Sequence, residues 1–187
     1  RKEPATSVHP QGIAFYVVGQ KHHHAVQPGS RTGKVSSDKP LPLYLVHGDS
    51  VRIKPMAFGG GLVKDGEIIF TNENQIYTRH DPTFHGEAGL IREFCAQTGI
   101  TDLREYTMYA SCEPCFMCSG AMVWVKLGRL VYGASNDDLE TLLGNRGCSC
   151  SAMVFENSFW QPQVTAGVLR EESLTILRDY FAEHKKG

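Results

Sequence analysis

No run in this sequence is apolar for the roughly 18 to 20 residues that a helix needs to cross a bilayer. The longest apolar runs, Ile13 to Val18 and Leu41 to Val46, are the length of strands. A membrane-spanning helix is therefore not expected. An excess of charge is absent too: 19 Lys and Arg stand against 20 Asp and Glu, a formal net charge of −1. That excludes a global field drawing the chain to nucleic acid or an anionic membrane, while leaving room for a local basic groove. No secretory pattern is seen, and two of the six cysteines form a Cys-x-x-Cys beside a proline, so reduced thiols in a cytoplasmic setting are expected rather than a disulfide framework. With 187 residues, 41% of them hydrophobic, the chain has enough for one domain with a core and too little for two.

Residues 1–50 are rich in Pro, Gly, Ser, His and Lys, broken by the two short apolar runs, and read as an irregular extension with up to two strands. Residues 51–187 read as the main domain. Its first signal is a hairpin: Phe58 to Val63 and Glu67 to Phe70 flank Lys64-Asp65-Gly66, whose Asp-Gly favours a tight turn. Leu90, Ile91, Phe94 and Cys95 lie on one helical stripe that Gly99 is placed to end. Tyr106 to Ala110 reads as a strand, Pro114 to Lys126 as a helix, Arg129 to Gly133 as a strand, and Leu169 to Phe181 as a closing helix. Strands alternating with helices predict a layered α/β domain.

Cys115 and Cys118 are three apart at an expected helix start, which puts both sulfurs on one face. Unpaired N–H groups and the macrodipole there favour thiolate over thiol. By itself the pair reads equally as a redox couple, half of a structural zinc site or packing. Pro114 before it, and His85-Gly86-Glu87 opening an earlier helix, complete the His-x-Glu and Pro-Cys-x-x-Cys signature of zinc deaminases. His85, Cys115 and Cys118 are then the zinc ligands of a site with an open fourth position. Glu87, two residues from His85, does not share its face of a regular helix and is expected to approach the bound water rather than join the ligands, the geometry of a proton shuttle. A closed structural centre would need a fourth ligand, for which Cys112 and then Cys148 or Cys150 are candidates.

These residues resemble the cytidine deaminase-like superfamily, most closely its bacterial guanine deaminases and tRNA adenosine deaminases. The resemblance runs from about Phe58 to Tyr132 and is carried by Leu62-Val63-Lys64-Asp65-Gly66, Asp81-Pro82-Thr83-Phe84-His85-Gly86-Glu87, Ser111-Cys112-Glu113-Pro114-Cys115-Phe116-Met117-Cys118 and Gly120-Ala121-Met122-Val123-Trp124. It implies a three-layer α/β/α fold with a mixed sheet of about five strands, a zinc cofactor and a homodimer. It further implies that Asn74 hydrogen-bonds the base, that Phe58 and Trp124 line its pocket, and that Asn157 meets the base edge where guanine deaminases carry an Asp.

The sequence also departs from that pattern. Gly86 replaces the usual Ala, as in yeast-type cytosine deaminases, whereas Glu113 before Pro114 matches the purine-acting branch. The C-terminal tyrosine of guanine deaminases has no counterpart, and Ser36 to Met56 lacks the helical period of the fold's first helix. His22-His23-His24 and Cys148-Ser149-Cys150 read as loops, and Cys95 as core.

The expected activity is hydrolytic deamination of a small nucleobase or nucleoside, purine-like and guanine-type favoured. A cytosine-type deaminase, a tRNA adenosine deaminase and a catalytically silent zinc scaffold are the alternatives. The balanced charge weighs against a nucleic-acid partner.

Overall fold

The structure, a computed structural model, describes residues 8–9, 13–17, 43–47, 58–144 and 150–184. In the N-terminal part, β1 (Val8–His9), β2 (Ile13–Val17) and β3 (Leu43–His47) form an antiparallel sheet in that order. Residues 13–17 and 43–46 of the two apolar runs thus lie in strands, and β1 adds a third that has no apolar signal. His22 to His24, Cys148 and Ser149 lie outside the described residues, as does the side chain of Cys150.

The main sheet begins with β4 (Gly59–Lys64) and β5 (Glu67–Glu73), an antiparallel hairpin with an irregularity between Leu62 and Val63. Its turn residues Asp65 and Gly66 have φ of 52° and 79°. Positive φ at both central positions matches the right-handed twist of the strands, and it is why Asp-Gly appears there. Helix α1 (Gly86–Thr98) follows and ends on left-handed Gly99. Next come β6 (Thr107–Cys112), α2 (Phe116–Trp124), β7 (Arg129–Ala134), α3 (Asn136–Leu143), α4 (Cys150–Glu156), β8 (Gln163–Thr165) and α5 (Arg170–His184). The five strands run in the order β5-β4-β6-β7-β8, with β4 antiparallel to β6, and β6, β7 and β8 mutually parallel.

Each face of the sheet is covered. On one, Leu62, Met108, Ala110 and Leu130 pack with Leu90, Ile91 and Phe94 of α1, Met122 and Val123 of α2, and Phe155 of α4. On the other, Leu174 and Leu177 of α5 pack with Cys112 and Ala134, and with Leu139 and Leu142 of α3. Helix α5 comes so close to β7 that a Cβ on Gly133 would stand 2.0 Å from Ser173 Oγ. These are the three layers and the mixed sheet that the resemblance implies. Cys95 is half-buried against the first core rather than within it.

One boundary is corrected. Helix α2 does not start at Pro114: Cys115 is its N-cap, with extended backbone at φ −69° and ψ 173°. It also stops at Trp124, because Lys126 turns left-handed at φ 52° to feed β7. Helices α3 and α4 and strand β8 have no counterpart in the sequence reading. Among the described residues, no helix is long and apolar enough to cross a membrane.

Candidate active site

Two helix N-termini meet at the site. His85 is the N-cap of α1 and Cys115 that of α2, both with extended backbone and neither spending its side chain on a cap. Each side chain is therefore free to point outward from its helix start, and His85 Nδ1 lies 3.6 Å from Cys115 Sγ. Cys118, one turn into α2 and fully buried, joins them: one ligand atom each of His85, Cys115 and Cys118 lies within 4.8 Å of the others. One imidazole and two thiols in the first turns of two helices form a donor set that suits zinc, whose preferred ligands are thiolate and imidazole.

The loop before α1 holds His85 in place. Gln75 N–H donates to the Phe84 carbonyl at 3.0 Å, and Phe84 N–H to the Asp81 carbonyl at 3.0 Å. Asp81 also accepts from Thr83 N–H at 2.8 Å. The Phe84 ring is buried, with the Arg79 guanidinium 4.1 Å over it, and fills the space that Gly89 leaves open. Phe84 was overlooked in the sequence as an anchor; the signal was an aromatic directly before a ligand, in a segment opened by Asp-Pro.

Glu87 is 7% exposed in the first turn of α1, and its Oε2 accepts the Cys118 thiol at 3.4 Å. Burial pushes its carboxyl above the usual range. The hydrogen bond from Cys118, with help from His85, holds Cys115 down at about 4, while the same bond pushes the Cys118 thiol up. Cys115 in turn raises the His85 imidazole. Of the two thiols, Cys115 therefore gives up its proton the more readily. Cys112 plays no part in this set: burial drives its thiol up to about 12.

The remaining expected residues lie further out. Asn74 is half-buried beyond β5; its N–H donates to the Phe58 carbonyl at 2.9 Å and its Oδ1 accepts from Ile76 N–H at 3.0 Å. Phe58 turns its ring edge-on to Tyr180 and Phe181 of α5, at 5.7 and 6.0 Å. Its backbone nevertheless flanks the site, since a Cβ on Gly86 would stand 3.0 Å from the Phe58 carbonyl and the Gly59 Cα. Trp124 is not brought to the ligands: it ends α2, 77% exposed and edge-on to Phe159 at 5.6 Å. Nine residues of helix carry it roughly 13 Å from Cys115 along the axis. Asn157 is exposed and donates from Nδ2 to the Met153 carbonyl at 2.8 Å, so its amide faces its own helix. Among the described residues, no hydrogen bond links Asn157 or Trp124 to the ligand set.

Residues 45–134 match the zinc-binding region of cytidine and deoxycytidylate deaminases, a span that includes His85, Glu87, Cys115 and Cys118. A tRNA-specific adenosine deaminase of Bacillus subtilis is 35% identical over 131 residues, covering 68% of this chain and 77% of that protein. The chain belongs to this deaminase family. A guanine deaminase of the same organism is 42% identical over 81 residues, 43% of this chain and 52% of that protein, so the match spans about half of that relative. Among solved structures, guanine deaminase from Nitrosomonas europaea superposes with a TM-score of 0.56 at 25% identity, over 67% of this chain and 72% of that one. Within the family's zinc-binding region, the two helix starts described above are where the ligand residues converge.

Proposed function

We propose that the chain hydrolytically removes the exocyclic amino group of a small nucleobase or nucleoside, purine-like and guanine-type favoured, and releases ammonia. The observation that carries this reading is the buried Glu87 carboxylate, hydrogen-bonded to one member of the ligand set without belonging to it. A purely structural metal centre has no use for such a group.

His85, Cys115 and Cys118 hold the ion. Bound zinc supplies a Lewis acid that makes water nucleophilic near neutral pH. Glu87 does the proton work: its carboxylate takes a proton from the attacking water and gives it to a ring nitrogen, then takes the proton of the newly added hydroxyl and gives it to the amino group, which leaves as ammonia while the carbonyl forms. Its raised proton affinity suits a group that must both take and give. The Asn74 amide, at the rim beside the Phe58 backbone, is the proposed contact to the base.

The guanine-type preference is supported by the 42% local identity to a guanine deaminase and by Glu113 before Pro114. The second reading, adenosine in tRNA, is favoured by the longer match to a tRNA-specific adenosine deaminase. Against it, among the described residues Lys64, Arg79, Arg92, Arg104 and Arg170 are each paired with a carboxylate, which leaves those five poorly placed for phosphate. A silent zinc scaffold would leave Glu87 without a role.

Phe116, Met117, Trp124, Met153 and Phe159 expose apolar surface on and beside α2, and this is the proposed homodimer face. Residues 1–50 are proposed as an extension to the deaminase domain. Four free cysteines, Cys95, Cys112, Cys115 and Cys118, accord with a reducing, cytoplasmic setting.

An ammonia-release screen of the zinc-loaded protein over guanine, adenine, cytosine, isocytosine, their nucleosides and an anticodon stem-loop tests the reading. Release from a free purine base is expected. Release from the stem-loop alone would move the assignment to tRNA, and release from none would leave the scaffold.

A further inference from the structure

Glu113 is part of the motif that marks the purine-acting branch, yet it touches neither the ligand set nor Glu87 through any hydrogen bond among the described residues. Its carboxylate is buried. Its Oε2 accepts from Asn136 N–H at 3.0 Å, at the first residue of α3, and its Oε1 accepts from Ser151 N–H at 3.3 Å, at the second residue of α4. The Ser151 hydroxyl donates to Oε1 as well. No ion pair to Glu113 is found among the described residues; its two oxygens are met instead by N–H and O–H donors at the starts of two helices.

The location matters more than the local energy. Glu113 N–H donates to the Ala134 carbonyl at 2.8 Å, which continues the pairing of β6 with β7, and two residues later comes the ligand Cys115. One side chain therefore links the zinc-ligand loop to the starts of α3 and α4. Helix α4 packs Phe155 into the core behind α2 and carries the Asn157 to Phe159 segment at its far end.

We infer that Glu113 is a positioning residue that fixes α4 against the zinc-ligand loop, and thereby sets the fit of the substrate beside that loop rather than the chemical step. A carboxylate is required because two backbone N–H groups and a hydroxyl must all be accepted. Glutamine has one oxygen for them; its NH₂ can still donate to Ser151 Oγ, but Ser151 N–H then loses its acceptor. Alanine leaves both N–H groups buried without one.

The test is amide hydrogen exchange of the zinc-loaded protein, read by mass spectrometry, on wild type, Glu113→Gln and Glu113→Ala. In Glu113→Ala, residues 150–156 are expected to exchange roughly ten- to a hundredfold faster while α1 keeps its protection and zinc stays at one per chain. Glu113→Gln should fall between. Unchanged protection of residues 150–156 in Glu113→Ala overturns the inference. With guanine as probe, KM should rise about tenfold in Glu113→Ala with kcat within about threefold, and Glu113→Gln should recover most of that rise. A fall confined to kcat also overturns it. The inference rests on the deaminase reading for its kinetic arm: a wild type that does not turn over guanine defeats only the guanine-type reading, and the exchange arm still decides whether Glu113 holds α4.

Discussion

Cys115 and Cys118 differ in burial and in proton affinity although they share one helical turn: the contacts with Cys118 and His85 lower the Cys115 thiol, while the contact with Cys115, together with burial, raises that of Cys118. Because a metal must displace thiol protons, zinc affinity is expected to fall as pH drops. Cys115→Ala and Cys118→Ala should each lose zinc, from one per chain to less than about a tenth at equal free zinc, by elemental analysis; retention in either variant removes that residue from the ligand set. Asn157 presents a different case. Its amide serves the Met153 carbonyl, so Asn157→Asp should cost about 0.5–1.5 kcal/mol of stability and leave the ratio of kcat/KM for guanine and adenine unchanged. A shift toward guanine would instead place the residue at the base edge. The cluster of His85, Cys115 and Cys118, with Glu87 beside it, was legible in the sequence because residue type and spacing carry the chemistry. Gly86 was legible only as a departure: its reason, that a Cβ there would stand 3.0 Å from the Gly59 Cα of β4, lies between residues far apart in the chain.

At the scale of elements, α3 explains both why sequence reading succeeds and where it stops. Its capping box is complete, with Ser135 Oγ accepting from Asp138 N–H and Asp138 accepting from Ser135 N–H. Ser-x-x-Asp was present in the sequence, but Asn136 to Leu143 is mostly polar and shows no apolar stripe long enough to announce a helix. Strand β8 is three residues at a sheet edge, shorter than any alternation can reveal. The hairpin β4–β5 and helices α1 and α2, by contrast, carry local signals that agree with their tertiary roles. Asp138 also ties α3 to α5 through Arg170, whose hydrogen bonds hold its carboxyl below the usual range, followed by its bonds to Ser135. A carboxyl depressed in the folded state contributes stability above its unfolded value, and that stability is lost as pH falls through the folded value. Acid should therefore loosen α3 and α5 below about pH 4. Asp138→Asn should weaken the protein by about 1 kcal/mol at pH 7 and flatten the acid limb of stability against pH. A variant as acid-sensitive as wild type would deny Asp138 that role.

For the whole molecule, the three-layer frame brings the starts of α1 and α2 together, with Glu87 and Cys118 buried and His85 and Cys115 half-buried. The α5 layer depends on close approach at Gly133, so Gly133→Ala should cost about 1–3 kcal/mol by denaturant unfolding, because its Cβ meets both Ser173 and the Ser111 carbonyl. A near-neutral result would mean that α5 moves away freely. Composition did not indicate which apolar side chains stay exposed, since Trp124 or Phe159 reads in sequence like any core aromatic.

The central claim is that Glu87 moves the protons of a hydrolytic deamination at a zinc site held by His85, Cys115 and Cys118. The most direct measurement is ammonia release and zinc content, side by side, for wild type and Glu87→Gln on the base that the screen selects. The account predicts one zinc per chain in both proteins and a fall in kcat of roughly 10²- to 10⁴-fold in the variant, because glutamine keeps the shape and cannot take the proton. Turnover within a few-fold of wild type in a zinc-replete Glu87→Gln protein would contradict it.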